Sequence, residues 1–258
     1  LSDQPVLLSL DDGVAVIRLN RPTRLNALTP DMLACLLARL EAALAERARV
    51  ILMTGTGRAF CAGADLTGDG LIAGDPGVTL EAAYHPLFRR LAEIDIPLVS
   101  VINGPAVGAG AALALAADIS VMAHSAYLQF GFVNVGLVPD SGVSWLLARS
   151  VGRVRALELA LLGEAVSAER AAAMGLVTRV AEDAHCFGQA MGLARRLAAG
   201  PSVAIGLIRR QIAAALDMGH GETMALEATN VRRAGASEDF AEGVAAFREK
   251  RHPRFKGR

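Results

Sequence analysis

Leu98-Val99-Ser100-Val101-Ile102-Asn103-Gly104-Pro105-Ala106-Val107-Gly108-Ala109-Gly110-Ala111-Ala112 is the stretch that decides the fold. Its first five residues carry no charge and read as a short buried strand. A Gly-Pro turn stops the strand, and an alanine-rich helix follows. Ile119-Ser120-Val121-Met122 comes directly after that helix and reads as another strand. Working outward, Val14 to Leu19 is a strand ended by Asn20-Arg21-Pro22, and Val50-Ile51-Leu52-Met53 is a strand stopped by Gly55 and Gly57. Between these two, Thr29 is an N-cap candidate with Pro30 at the first helical position. Leu33, Leu36, Leu37, Leu40 and Leu44 then form one apolar face at helical spacing. Strands alternating with helices predict an α/β fold with largely parallel pairing.

Beyond about residue 145 the pattern turns to helix after helix. Ser167 opens one helix and Gly175 closes it, with Leu176 to Val180 as a last short strand. Further helices are predicted near 185–199, 202–216, 222–233 and 237–249, the last capped by Ser237. Phe240, Val244 and Phe247 form a stripe on it that suits a core or a subunit contact. Residues 67–79 are glycine-rich without periodicity and read as a long loop, of the kind that makes lids or pocket walls.

The 258 residues carry 26 basic and 26 acidic side chains, so no net charge points to nucleic acid. The hydrophobic fraction of 53% is largely alanine and suggests tight helix packing rather than membrane. Residues 96–117 are uncharged, but Pro97, Asn103, Gly104, Pro105, Gly108 and Gly110 would break a spanning helix. Leu1-Ser2-Asp3 has no signal-peptide pattern. Cys35, Cys61 and Cys186 lie far apart, with neither metal-binding nor disulfide spacing, and read as small buried hydrophobes. The expectation is a cytoplasmic protein with no metal.

Asp118 and Asp140 are the only Asp, Glu, Lys or Arg residues between 96 and 148. A carboxylate in such surroundings must be paired, hydrogen-bonded or turned to a cavity. Asp140 lies in Val138-Pro139-Asp140-Ser141-Gly142, which supports two readings. Held in an apolar setting, it would have a raised pKa and could move protons. Alternatively, Asp140 or Ser141 caps the helix that follows. Two turns add to the picture: Arg58-Ala59-Phe60-Cys61-Ala62-Gly63-Ala64-Asp65-Leu66 and Asn103 to Ala112. Each puts small residues where a strand turns into a helix and backbone N–H groups are unpaired. Facing one another, they could hold an oxyanion; taken singly, each also suits plain close packing. Neither is a G-x-G-x-x-G or P-loop motif.

In order along the chain, these turns, Asn20-Arg21-Pro22 with Asn26-Ala27-Leu28, Gly136 to Gly142, and Glu242 to Arg251 resemble the crotonase (enoyl-CoA hydratase/isomerase) superfamily from about residue 6 to 256. The resemblance implies a spiral of ββα units over residues 1–195. A helical region, 196–258, would cover the acyl-CoA pocket and mediate trimerisation, giving a homotrimer or hexamer. It implies an acyl-CoA substrate, no cofactor beyond that CoA, and a thioester oxygen held by the N–H groups of Ala64 and Ala109. The family usually has glycine at the second of these positions.

Family hydratases carry two glutamates where this chain has Ala112 and Phe132, and neither residue can activate water or protonate carbon. Asp140 in its Pro-Asp-Ser-Gly setting resembles the acid/base residue of the phenylacetate-pathway isomerases. Tyr84-His85-Pro86-Leu87 and Leu161-Leu162-Gly163-Glu164 point the same way. The implied activity is a double-bond shift or ring rearrangement, with enoyl-CoA hydration as the alternative. His85 and Asp140 together also resemble the aryl-CoA dehalogenases, and the missing glutamates allow a non-catalytic CoA-binding subunit. His85 equally reads as a partly exposed residue at a helix start. The resemblance assigns substrate contacts to Arg24, Arg58, Ala62, Phe132 and Lys250, the three cations as candidates for CoA phosphates.

Overall fold

The computed structural model of the protein describes residues 4–67 and 74–258. Its main sheet has six strands in the order β1 (Val6–Asp11), β2 (Val14–Leu19), β3 (Val50–Gly55), β4 (Leu98–Ile102), β6 (Ile119–Ala123) and β9 (Arg179–Ala181). Only the β1–β2 hairpin is antiparallel; the remaining pairs run parallel. Parallel strands are covered on both faces and therefore read as unbroken apolar runs. Every residue of β3 and β4 is buried. Helix α1 (Pro30–Ala45) packs against β1 and β2, with Thr29 Oγ1 accepting the Met32 N–H as its cap.

A second, smaller sheet joins β5 (Ala106–Val107), β7 (Tyr127–Gln129) and β8 (Ala165–Ser167). Single bridges extend it, Cys61 pairing with Ala106 and Ala64 with Leu28. Strands β4 and β5 precede α3 (Ala109–Leu115), and β6 and β7 precede α4 (Val143–Leu162). Each ββα unit thus leaves one strand in each sheet, which is the spiral expected of the crotonase fold.

Several elements depart from expectation. The last strand of the main sheet is Arg179–Ala181, so Leu176 and Val177 serve as buried apolar residues of the preceding turn. Part of the expected 67–79 loop, residues 68–73, lies outside the described residues. At its far end Asp75 caps a helical turn, Pro76–Thr79, which passes through a π-helical turn, Leu80–Tyr84, into α2 (His85–Glu93). Ser167 and Ser237 cap α5 (Ala168–Ala173) and α9 (Glu238–Glu249) as predicted.

Helix α6 (Asp183–Ala198) packs across β3, β4 and β6 and runs through the expected 195/196 division; Gly200-Pro201 follows it. Helices α7 (Ser202–Ala215), α8 (His220–Gly235) and α9 complete the chain. Arg209 on α7 is bound back to the core. Its guanidinium donates to the carbonyls of Leu91 (2.7 Å), Ala92 (3.0 Å) and Ile94 (2.6 Å) at the end of α2, and to both oxygens of Asp118 (2.8 Å). Asp118 also accepts the Leu98 N–H at 2.8 Å, so the first of the two isolated carboxylates is fully paired. Among the described residues, no helix is long and apolar enough to cross a membrane.

Candidate active site

The two small-residue turns meet in the second sheet. Leu28 donates to the Gly63 carbonyl (2.7 Å) and accepts from the Asp65 N–H (2.8 Å). Residues on one strand alternate in the side to which their backbone groups point. The Ala64 N–H is therefore directed away from Leu28, toward residues 105–109. On that side Cys61 N–H donates to the Pro105 carbonyl (3.1 Å), and Val107 N–H to the Cys61 carbonyl (2.9 Å). Ala109 opens α3, where the first N–H groups have no helical acceptor. Among the described residues no backbone acceptor is assigned to either the Ala64 or the Ala109 N–H.

Two glycines let the turns come this close. A Cβ on Gly110 would sit 2.2 Å from the Cys61 carbonyl oxygen. One on Gly63 would sit 2.7 Å from the Val107 oxygen and 3.7 Å from the Ala109 nitrogen, and φ there is +91°. Close packing and donors without a backbone acceptor, which the sequence offers as alternatives, coexist in one arrangement.

Two asparagines hold the first turn in place. Asn26 is fully buried; its amide donates to the carbonyls of Thr56 (3.0 Å), Ala59 (2.9 Å) and Phe60 (3.2 Å), and its Oδ1 accepts the Arg21 N–H (2.9 Å). Asn103 Oδ1 accepts from Gly55 N–H (3.0 Å) and Thr54 Oγ1 (3.1 Å), while its Nδ2 donates to Gly57 (3.0 Å). Sequence reading could place both residues in motifs but gave no sign of these long-range partners. Asp65, just past Ala64, is bound by Thr67 and Arg21.

Asp140 is the outlier. Its Oδ1 is buried and has no hydrogen-bond partner, and the neighbouring Ser141 Oγ is in the same state. Burial pushes the Asp140 carboxyl above its ordinary range. Nearby Ser141 and His85 oppose that shift, although the Ser141 hydroxyl does not reach hydrogen-bond geometry. The capping alternative is overturned. The N-cap of α4 is Gly142 at φ +81°, and no side chain caps that helix; Asp140 meets the helix only through its backbone carbonyl, which accepts the Val143 N–H (2.9 Å). The left-handed conformations of Ser141 (φ +52°) and Gly142 account for this, because they take both side chains out of capping position.

Tyr84 connects the two halves of the site. It is buried, and its hydroxyl is pushed upward first by burial and then by the negative charge of Asp140, with a further contribution from Asp65. His85, half-buried at the start of α2, lies on the Asp140 side. The Phe132 ring packs beside Gly108, where a Cβ would lie 3.8 Å from its Cε1, and Ala112 is fully buried one turn into α3. The structure thus gathers Ala62, Ala64, Ala109 and Phe132 around the meeting turns, with Asp140 close enough to Tyr84 to act on its hydroxyl. Arg24 is half-exposed and directed to Thr67 and Asp65. Arg58 and Lys250 are exposed and make no ion pair among the described residues.

Beyond Ser141 and His85 lies a cavity of about 830 Å³, walled by Leu115 and Ile119 on the core side and by Trp145, Ile208 and Ile212 on the helical side.

The pattern for enoyl-CoA hydratase/isomerase matches residues 9–258. The chain belongs to the enoyl-CoA hydratase/isomerase family. It is 42% identical to a 1,2-epoxyphenylacetyl-CoA isomerase of Escherichia coli K12, across 98% of both chains. It is also 42% identical to a probable enoyl-CoA hydratase of Rhodobacter capsulatus, across the whole of both. The crystal structure of an enoyl-CoA hydratase subunit I from Geobacillus kaustophilus superposes with a TM-score of 0.92 at 38% identity, covering 98% of each chain. Enzymes of the enoyl-CoA hydratase/isomerase family act on acyl-CoA thioesters.

Proposed function

We propose that the protein is an acyl-CoA isomerase that shifts a double bond, or rearranges a ring, through a thioester enolate. The observation that carries this reading is the buried Asp140 Oδ1, which has no hydrogen-bond partner, in a site where Ala112 and Phe132 supply no second acid or base. In this scheme the thioester oxygen accepts from the N–H groups of Ala64 and Ala109. The Asp140 carboxylate removes a proton from one carbon of the acyl group, and the electron pair moves onto the thioester oxygen. Each donor stabilises that charge by roughly 2.7–4 kcal/mol. Asp140 then returns its proton to another carbon of the conjugated system. No atom is gained or lost, and no cofactor is used beyond the CoA of the substrate.

Arg24, Arg58 and Lys250 serve as candidate phosphate contacts, with Ala62 and Phe132 against the thioester and acyl group. Residues 1–195 carry the chemistry, and 196–258 cover the pocket and join subunits into a trimer or hexamer. Phe240 and Phe247, exposed by 56% and 86%, support that assembly. Sedimentation velocity showing a monomer at micromolar concentration would contradict it.

Hydration is the second reading, supported by the hydratase name of a relative of equal identity. Incubation with 3-enoyl-CoA and 2-enoyl-CoA, followed by mass spectrometry, separates the two. Isomerisation leaves the mass unchanged, whereas hydration adds one water. Conversion of 2-enoyl-CoA to a hydrated product without interconversion of the isomers would overturn the isomerase reading.

A further inference from the structure

We propose that Ser141 is a positioning residue for Asp140: when substrate fills the site, its hydroxyl donates to the Asp140 carboxylate and fixes the oxygen that faces the reacting carbons. This rests on the reading of Asp140 as the acid/base. Three observations lead to it. Ser141 holds φ at +52°, a conformation that costs energy for any residue with a Cβ and persists only where the surroundings enforce it. A serine just before a helix ordinarily caps it, yet no side chain caps α4. Finally, Ser141 is 3% exposed and its Oγ has no partner, beside an Asp140 Oδ1 that also has none.

Two adjacent buried polar atoms left unpaired are costly together. They are complementary, since a hydroxyl can donate and a carboxylate can only accept. Rotation of Ser141 about its one side-chain torsion is the smallest movement that would satisfy both. Ser141 and His85 both line the cavity, which places this serine at the junction between the cavity and Asp140. The other titratable groups that face Asp140 among the described residues are Tyr84 and His85. Burial keeps the Tyr84 phenol neutral, and a protonated His85 favours the carboxylate.

The test compares S141A and S141G with D140N, in the full-length protein, using 3-enoyl-CoA as the probe. Both serine variants lose the hydroxyl, but alanine keeps the backbone strain and glycine removes it. A hydrogen bond to a charged group contributes enough for kcat to fall about tenfold or more in both variants. KM should change little. The acid limb of kcat/KM should move to higher pH in both, because a carboxylate that loses a donor binds its proton more tightly. The melting temperature should be unchanged or raised in S141G. If both serine variants keep the wild-type pH limb while D140N is inactive, this inference falls alone. If only S141A is impaired and S141G is normal, the backbone rather than the hydroxyl matters, and the inference is again overturned. If D140N stays active, the acid/base reading and this inference fail together.

Discussion

Two aspartates flank the same site and have opposite surroundings. Asp65, on the loop after β3, accepts the Thr67 hydroxyl (2.7 Å), the Thr67 N–H (3.1 Å) and the Arg21 guanidinium (3.0 Å). Its carboxyl is held down to about 2, by the Thr67 hydroxyl first and then, against the opposing effect of burial, by the Thr67 N–H and Arg21. Asp140, on the loop before α4, has an orphaned Oδ1, and burial raises it. The first carboxylate is permanently charged and fully committed to bonds that fix a turn. The second is held in reserve, with its proton affinity raised above that of an ordinary carboxylate. The first loop therefore acts through its backbone and the second through a side chain.

The largest effect separates the two by activity. Asp140→Asn keeps size and shape but removes proton transfer, and kcat should fall by about 10²–10⁴. Asp65→Asn should cost less than about tenfold on the same scale. Equal losses in steady-state assays would break the contrast.

Next in size is removal of a backbone donor. Proline at the first helical position is tolerated, so Ala109→Pro deletes one N–H with the helix retained. Kcat should fall about 10²–10³ if that N–H binds the thioester oxygen. Unchanged kcat with an intact circular dichroism spectrum would remove Ala109 from the mechanism.

Thermal stability should separate the aspartates by sign. The depressed Asp65 carboxyl contributes stability that is present above the ordinary carboxylate value of about 3.9 and lost as pH falls toward about 2. The raised Asp140 carboxyl works the other way: its ionisation costs stability as pH climbs from about 3.9 through its raised value. At pH 7, Asp65→Asn should lower the melting temperature by roughly 4–8 °C, for about 2 kcal/mol of lost bonds. Asp140→Asn should leave it unchanged or raise it. Scanning calorimetry at pH 7 reads both signs.

The smallest effect is on the pH–rate profile. The acid limb of kcat/KM should lie above about 4 in the wild type, because the raised Asp140 must be ionised to accept a proton. Asp65→Asn should leave the limb in place.

Local chemistry made much of this legible in the sequence. The strands at 14–19 and 98–102 are mostly apolar runs, and Thr29, Ser167 and Ser237 are caps whose partners lie three residues away. Ala64 and Ala109 stood out because small residues crowd two strand-to-helix turns. The second sheet did not, since strands of two and three residues are too short to show a period. Nor did the fate of Asp140. Pro-Asp-Ser-Gly favours a cap by every local preference, and only the left-handed pair Ser141–Gly142 turns the carboxyl away from the helix. The Asn26 network spans 30 to 34 residues and has no local signature.

Arg209 also bears on the order in which the chain assembles. Its carbonyl partners lie 115 to 118 residues earlier, and it meets them together with Asp118, 91 residues back. Those acceptors come together only once α2 has ended and β4 has paired with β6. A chain emerging from the ribosome completes that receptor long before it supplies the guanidinium. Docking of the last helices thus depends on a surface that the first half of the chain builds.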